Sequence, residues 1–337
     1  GVKAGAKLRS YRGDQFYTLD LGFDLISYGA GELSPFSFAE DSLSVVFPSE
    51  DETNAIFNAT PKIVLRKGDF RADVGIGLYG RFSNKARFHA FPDLHFSYSL
   101  FNDIFVPYAG MTGNVERVGY RTLTESNPWV LNQVPVVNTI NRYRFFGGFR
   151  GSVSDNLSFN LGVSYQKGDN TPLSVNDTLF SRENRFSVIY DDVTTLSFSG
   201  EVSYLSNRGW GVGLSGRIFS YDTENEDEAW HLPAYEFAVN GSYNLYDKFV
   251  AGVTLNLIGN RQVKSLWPVP GQEPEDGGYY KVELDPYLDL GLSIEYRYTS
   301  RLSLFVEANN LTATKYDIYY RFPAQRAFVL GGAKYSF

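Results

Sequence analysis

Three histidines, His89, His95 and His231, and no cysteine are all that this chain of 337 residues offers a transition metal or a strong nucleophile. Without cysteine there are no disulfides, thiolate sites or cysteine catalysis. His95 stands near Asp93, but two side chains do not make a metal site, and the usual ligand spacings are absent. No nucleophile elbow, P-loop or dinucleotide fingerprint occurs. Asp191 and Asp192 are adjacent carboxylates of the type used in general acid and base chemistry. Neighbours on an extended strand point to opposite faces, so a solvated rim is the expected role. Asp222, Glu224, Glu226, Asp227 and Glu228 crowd the residues before Trp230 and offer oxygen ligands to Ca²⁺, although such runs are more often simply solvated. No catalytic residue, metal site or cofactor is expected.

The other charges of interest recur at alternate positions of extended segments: Arg71, Asp73, Arg217, Glu236, Lys281, Glu283, Asp285, Asp289, Glu295 and Glu307. The acidic stretch 283–295 would disfavour anions if it lined an open pore. The favoured expectation is that it pairs with Arg217, Arg297 or Arg326 across a confined interior. Trp129, Trp230 and Trp267 stand in long connections, Trp129 beside Val130 and Leu131, Trp267 beside Pro268. Such residues either anchor a partner or stack on a sugar, or fold inward to cover what lies beneath. The formal net charge is −7, with 31 Lys plus Arg against 38 Asp plus Glu. With no basic patch, nucleic acid is not an expected partner.

The elements that carry these residues are strands. Phe, Tyr and Trp make up 16% of the chain, Gly numbers 32 and Met one, which favours sheet over helix. No run of 18 or more apolar residues occurs, so no helical membrane span is expected, but a barrel whose alternate residues face lipid is not excluded. Period-two alternation is sustained in many segments. Phe70, Ala72, Val74, Ile76 and Leu78 oppose Arg71, Asp73, Gly75, Gly77 and Tyr79. Trp210, Val212, Leu214, Gly216 and Ile218 oppose Gly211, Gly213, Ser215 and Arg217. The longest run, 279–298, is broken in phase only by Pro286. A tilted strand needs about 9 to 11 residues to cross a bilayer, and these segments are that long. Very short links, such as 67–69, 154–156 and 246–248, alternate with long ones at 29–57, 119–139, 169–188, 222–233, 261–278 and 313–323.

These features predict an all-β, single-domain chain over 1–337: a transmembrane antiparallel β-barrel of about 14 to 16 strands, with short periplasmic turns and long extracellular loops. Fifteen alternating segments run from 2–11 to 324–337. An odd count is awkward, because single-chain bacterial barrels close with an even number. Either one strand is split or missed, with 42–47 a candidate, or the chain begins inside a barrel. Aromatic residues beside the short turns, including Phe101, Tyr204, Trp210, Tyr246, Phe249, Tyr335 and Phe337, fit an interfacial girdle.

The last segments carry a more specific signal. A strand ends in Asn310-Leu311, Tyr316 follows, then Pro323-Ala324-Gln325-Arg326, and the chain closes on Tyr335-Ser336-Phe337. This resembles the end of the barrel in TonB-dependent outer-membrane receptors, where an Asn-Leu pair leads through a Tyr to a Pro-x-x-Arg turn and a terminal Phe. Ala324 stands where the family usually has Gly. The tyrosine-rich strands look similar to Bacteroidota-type receptors. The resemblance implies a place in the outer membrane of a Gram-negative cell, in contact with its lipid. It also implies that Tyr335 and Phe337 signal to the outer-membrane assembly machinery, and it admits an outer-membrane or surface lipoprotein as partner. Complete receptors of that family add a TonB-contacting segment, a plug domain and a barrel of about 22 strands, for which 337 residues leave no room. The expectation is therefore a fragment or a reduced relative without a plug, non-enzymatic, acting in solute passage. An accessory subunit of a larger membrane complex and a surface-binding module using its loops are the alternatives.

Overall fold

A computed structural model of the chain describes residues 1–12, 15–28, 52–82, 86–131, 134–177 and 184–336. The candidate strand 42–47 and the terminal Phe337 lie outside the described residues. The alternating segments become long strands: β1 (Val2–Arg12), β2 (Gln15–Tyr28), β3 (Glu52–Lys67), β4 (Phe70–Phe82), β5 (Ala86–Tyr98) and β6 (Val106–Glu116). A short helix, α1 (Tyr120–Ser126), precedes β7 (Thr139–Ser154), β8 (Leu157–Asn176), β9 (Phe186–Leu205), β10 (Trp210–Thr223), β11 (Tyr235–Leu245) and β12 (Phe249–Gly259). Two small hairpins, β13 (Arg261–Ser265) with β14 (Tyr280–Leu284) and β17 (Asp317–Tyr319) with β18 (Phe322–Pro323), interrupt the closing strands β15 (Tyr287–Arg297), β16 (Leu302–Asn309) and β19 (Phe328–Tyr335). No helix among the described residues is long and apolar enough to cross a membrane.

Fifteen strands form one antiparallel sheet in which each pairs with the next of the main series. The short links make this possible; at one of them Gly68 takes φ +56°, open to glycine at no steric cost. Register aligns the two parities across the sheet. Phe159, Val202, Leu214, Val239, Leu255 and Leu290 form one row across six strands. One step along, Asn160, Glu201, Ser215, Ala238, Asn256 and Asp289 form the opposite one. The apolar face is left bare: Leu161 is 50% exposed, Phe198 55%, Leu214 47% and Ile218 51%. A continuous band of half-exposed large apolar residues is what a wall facing hydrocarbon presents.

The polar face lines a trough. Arg117, just beyond β6, forms an ion pair with Asp24 on β2, which requires the intervening strands to curve around their polar side. Asn54 on β3 and Asn138 before β7 exchange amide hydrogen bonds of 2.9 and 3.0 Å.

The sheet is nevertheless open. β1 pairs only with β2 and β19 only with β16, and no sheet among the described residues closes on itself. This overturns the expected closed transmembrane barrel. Alternation reports which face of each strand is apolar, a local property, whereas closure needs the first and last strands to pair, on which the period is silent. A second correction concerns the run 279–298. It splits at Pro286, which lacks a backbone N–H and restricts the residue before it. Glu283 therefore belongs to the β13–β14 hairpin and Asp285 to the break, so neither lies on a wall strand.

Candidate functional site

The charges on the polar face are mostly satisfied by near neighbours. Arg71 donates to Asp73 on its own strand at 2.7 and 2.8 Å, and Lys62 meets Asp93 at 2.7 Å. Glu295 is reached by Arg297 at 3.4 Å and by Lys334 at 3.9 Å, and the Asp289 carboxylate accepts the Asn310 N–H at 3.0 Å. Arg326 is exposed. The expected pairing of the 283–295 acids with Arg217, Arg297 and Arg326 across the interior is thus reduced to the contact between Glu295 and Arg297. Glu295 and Arg297 are neighbours on β15, so this contact lies along one strand.

Arg217 faces a different environment. It sits opposite Glu236 in register, yet among the described residues no carboxylate lies within 4.0 Å of it, and the same holds for Arg144. Both line a cleft of about 480 Å³ with Tyr108, Phe146, Ser164, Gln166, Thr195, Ser197, Ser199 and Phe219. The Ser164 and Ser197 hydroxyls are 2.8 Å apart on its floor, and Tyr108 donates to Asn160 at 2.9 Å. Sequence reading missed Arg144. Its parity places it on the polar face, but only the register of four strands brings it into one cleft with Arg217.

The long connections at the other end fold inward as a cap. Val118, Leu123, Val130, Val134, Phe186 and Val188 form a buried cluster, with Trp129, Tyr319 and Phe322 packed on it. Trp129 lies 4.4 Å from the Phe322 ring and 5.9 Å from Tyr319, and Tyr319 donates to the Ser126 carbonyl at 2.8 Å. The hairpin after β16 therefore reaches over to α1, and the half-buried Trp129 ring packs against it. Trp230 is fully buried with Leu173 and Tyr279, its indole N–H donating to Glu226 at 2.8 Å. Trp267 remains 42% exposed.

The acidic run is partly solvated, with Asp222, Glu224 and Asp227 exposed, and partly tied to neighbouring elements. Glu226 accepts from Lys264 at 2.7 Å, Glu228 from Lys281 at 2.5 Å, and Asp227 from the Tyr279 hydroxyl. No group of three or more His, Cys, Asp or Glu that could hold a metal occurs among the described residues. Asp191 is not a solvated rim. It is 2% exposed and accepts the Asn225 and Glu226 N–H groups and the Asn225 amide at 2.7 to 3.1 Å. Burial raises its pKa, but these hydrogen bonds outweigh burial and hold the carboxyl below its usual range.

His231 is a buried titratable group of the cap, 8% exposed. Its Nδ1 lies 2.8 Å from the Ser174 carbonyl, which can only accept, so Nδ1 carries the proton. Nε2 is buried without a partner, and the Phe186 and Tyr319 rings lie 5.3 Å away. Burial, reinforced by the nearby Arg261, pushes its pKa down to about 4. Arg261 donates to the Ile318 and Asp317 carbonyls and lies 5.1 Å above the Tyr287 ring.

The C-terminal motif residues tie the closing strands to this cap. Asn310 is 2% exposed and takes φ +47°; its side-chain amide donates to the Thr314 and Gln325 carbonyls at 3.1 and 3.0 Å. The Leu311 N–H donates to Leu290 at 2.9 Å. Tyr316 stacks on Tyr287 at 4.0 Å with its hydroxyl pushed up to about 12 by burial, and its carbonyl receives the Ala324 N–H, beside Pro323, at 2.8 Å. Tyr335, on the last strand, is 58% exposed.

No family model and no curated protein matches this chain. Solved structures do. The pyoverdine outer membrane receptor FpvA from Pseudomonas aeruginosa PAO1 superposes with a TM-score of 0.66 at 15% identity, covering 99% of this chain and 52% of its own. The ferric-catecholate import receptor Fiu from E. coli K12 gives 0.64 at 13%, covering 99% and 54%. The FrpB iron transporter from Neisseria meningitidis gives 0.66 at 10%, covering 99% and 55%. The chain spans about half the length of these structures. At such identities the likeness is one of fold. It bears out the resemblance to outer-membrane receptor barrels at that level and carries no sign of Bacteroidota in particular.

Proposed function

We propose that the chain is a non-enzymatic part of the wall of an outer-membrane protein and serves solute passage along its polar face. The carrying observation is the division of the sheet into a bare apolar face and a charged trough capped at one end. Hydrocarbon provides no hydrogen-bond partners, so in a membrane the free edges of β1 and β19 are met by strands outside this sheet. Outer-membrane lipid contacts the apolar face, and the assembly machinery reads the last strand through Tyr335 and Phe337. A second reading, as a surface module binding a lipoprotein partner, is favoured by Leu266 and Trp267, 47% and 42% exposed beyond the β13 strand.

Reconstitution into lipid vesicles followed by sugar-induced swelling tests the first reading. Protein-dependent swelling is expected. Vesicles that take up the protein yet stay tight to sugars would overturn solute passage and leave the wall. A chain that is monodisperse in detergent-free buffer and ignores vesicles would overturn both.

A further inference from the structure

The cleft on the polar face has a composition that selects a ligand. Its register can be followed strand by strand: Arg144 on β7 pairs with Gln166, Gln166 with Thr195 and Thr195 with Tyr221 on β10. Two residues along, Phe146, Ser164, Ser197 and Phe219 form the next row on that face. Two further along, Gly148, Gly162, Ser199 and Arg217 form the third. The middle row has an aromatic ring at each end and two serine hydroxyls between. The two arginines stand at diagonal corners. Three strand spacings of about 4.8 Å and four residue steps of about 3.3 Å separate their Cα atoms by roughly 20 Å. Both side chains line the same cleft.

Neither guanidinium has a carboxylate within 4.0 Å among the described residues, in contrast to Arg71, Arg117 and Arg142 on the same face. Both arginines are exposed, Arg144 lying 5.8 Å above the Phe146 ring and Arg217 opposite Glu236 in register, and the planar fork of a guanidinium matches a carboxylate or phosphate. Between the arginines the floor offers hydroxyl and amide groups that both donate and accept, and the walls offer flat apolar rings. At about 480 Å³ the space falls in the range of small-molecule sites.

The geometry points to a binding site for a hydroxylated dianion of disaccharide size, its two acidic groups held by Arg144 and Arg217 and its hydroxyls by Ser164, Ser197, Thr195 and Gln166. This rests on the solute-passage reading and supplies that reading with a chemical class of solute. Gly162 lines the floor, and Gly148 beside it permits a close approach of β7 to β8. A Cβ at Gly148 would come within 2.1 Å of the Leu161 carbonyl oxygen and 2.7 Å of the Tyr108 hydroxyl.

Calorimetry on the full chain in detergent micelles, with digalacturonate as the probe and a neutral disaccharide as control, tests the site. Digalacturonate is expected to bind and the neutral sugar to bind at least tenfold more weakly, with the preference shrinking as salt is added. Arg144→Gln and Arg217→Gln should each weaken binding by about tenfold or more. Arg144→Lys, which keeps the charge but loses the fork, should weaken binding less than Arg144→Gln, which separates loss of the charge from loss of the fold. Equal binding of the two sugars, absence of digalacturonate binding, or glutamine variants within twofold of the parent would overturn the proposal. Vesicle insertion is scored on the same preparation. Insertion without digalacturonate binding removes the site and leaves the membrane reading, whereas binding without insertion does the reverse.

Discussion

Lowering the pH from 7.5 to 5 should loosen the cap through one residue, His231. Its folded pKa is about 4 against an ordinary 6.5, so the unfolded or opened state binds more protons wherever the pH lies below the ordinary value. The sign is therefore a loss of stability on acidification, beginning near 6.5 and complete only near 4. A shift of this size amounts to roughly 3 kcal/mol when complete and about 2 kcal/mol at pH 5. Charging the ring would put a proton on Nε2, which is buried with no partner, beside the Arg261 cation. Asp191, held below its usual range, gives stability that is present above its unfolded pKa and lost only below it, well under pH 5. The assay is amide hydrogen exchange in segments 172–177 and 229–232, with Trp230 emission as a second observable. Exchange should rise about thirtyfold between pH 7.5 and 5 after correction for intrinsic rates. His231→Gln retains a donor for the Ser174 carbonyl and does not titrate, so it should abolish the rise. A variant that opens as readily as the parent at pH 5 would refute the assignment to His231.

Substitutions at two further positions probe the cap and its junction with the wall. Phe186→Ala removes a fully buried ring that touches Tyr319, Phe322 and His231 and should cost about 3 to 5 kcal/mol. Faster exchange should be confined to 119–131 and 317–323, with wall-strand amides unchanged. At Asn310, φ is +47°, so Asn310→Gly should lose only the side-chain bonds to Thr314 and Gln325, whereas Asn310→Ala adds about 1 kcal/mol of left-handed strain. Thermal melts that rank Ala above Gly would contradict that account.

Strand placement and the outward face of the wall were legible because period two is written into each strand by itself. Phe70 to Leu78 needs no other part of the chain to declare which side is apolar. Asn310, Tyr316 and Pro323 were legible too, as a short contiguous pattern. By contrast, the burial of Trp129 under Phe322, and the Tyr319 contact with Ser126, join residues nearly two hundred positions apart. Nothing local marks such pairs. The partners of the acids at 224–228 were not legible for the same reason, since Lys167, Lys264, Lys281 and Tyr279 come from other strands and loops.

Sequence alone determined that these strands have one apolar and one polar side, because a backbone that alternates its side chains converts composition directly into faces. Tertiary structure decided that the sheet stays open, that its far connections fold into a cap, and that Arg144 and Arg217 share one cleft without an acid. Each of these depends on register and curvature, which set distances between strands and are encoded in no single segment.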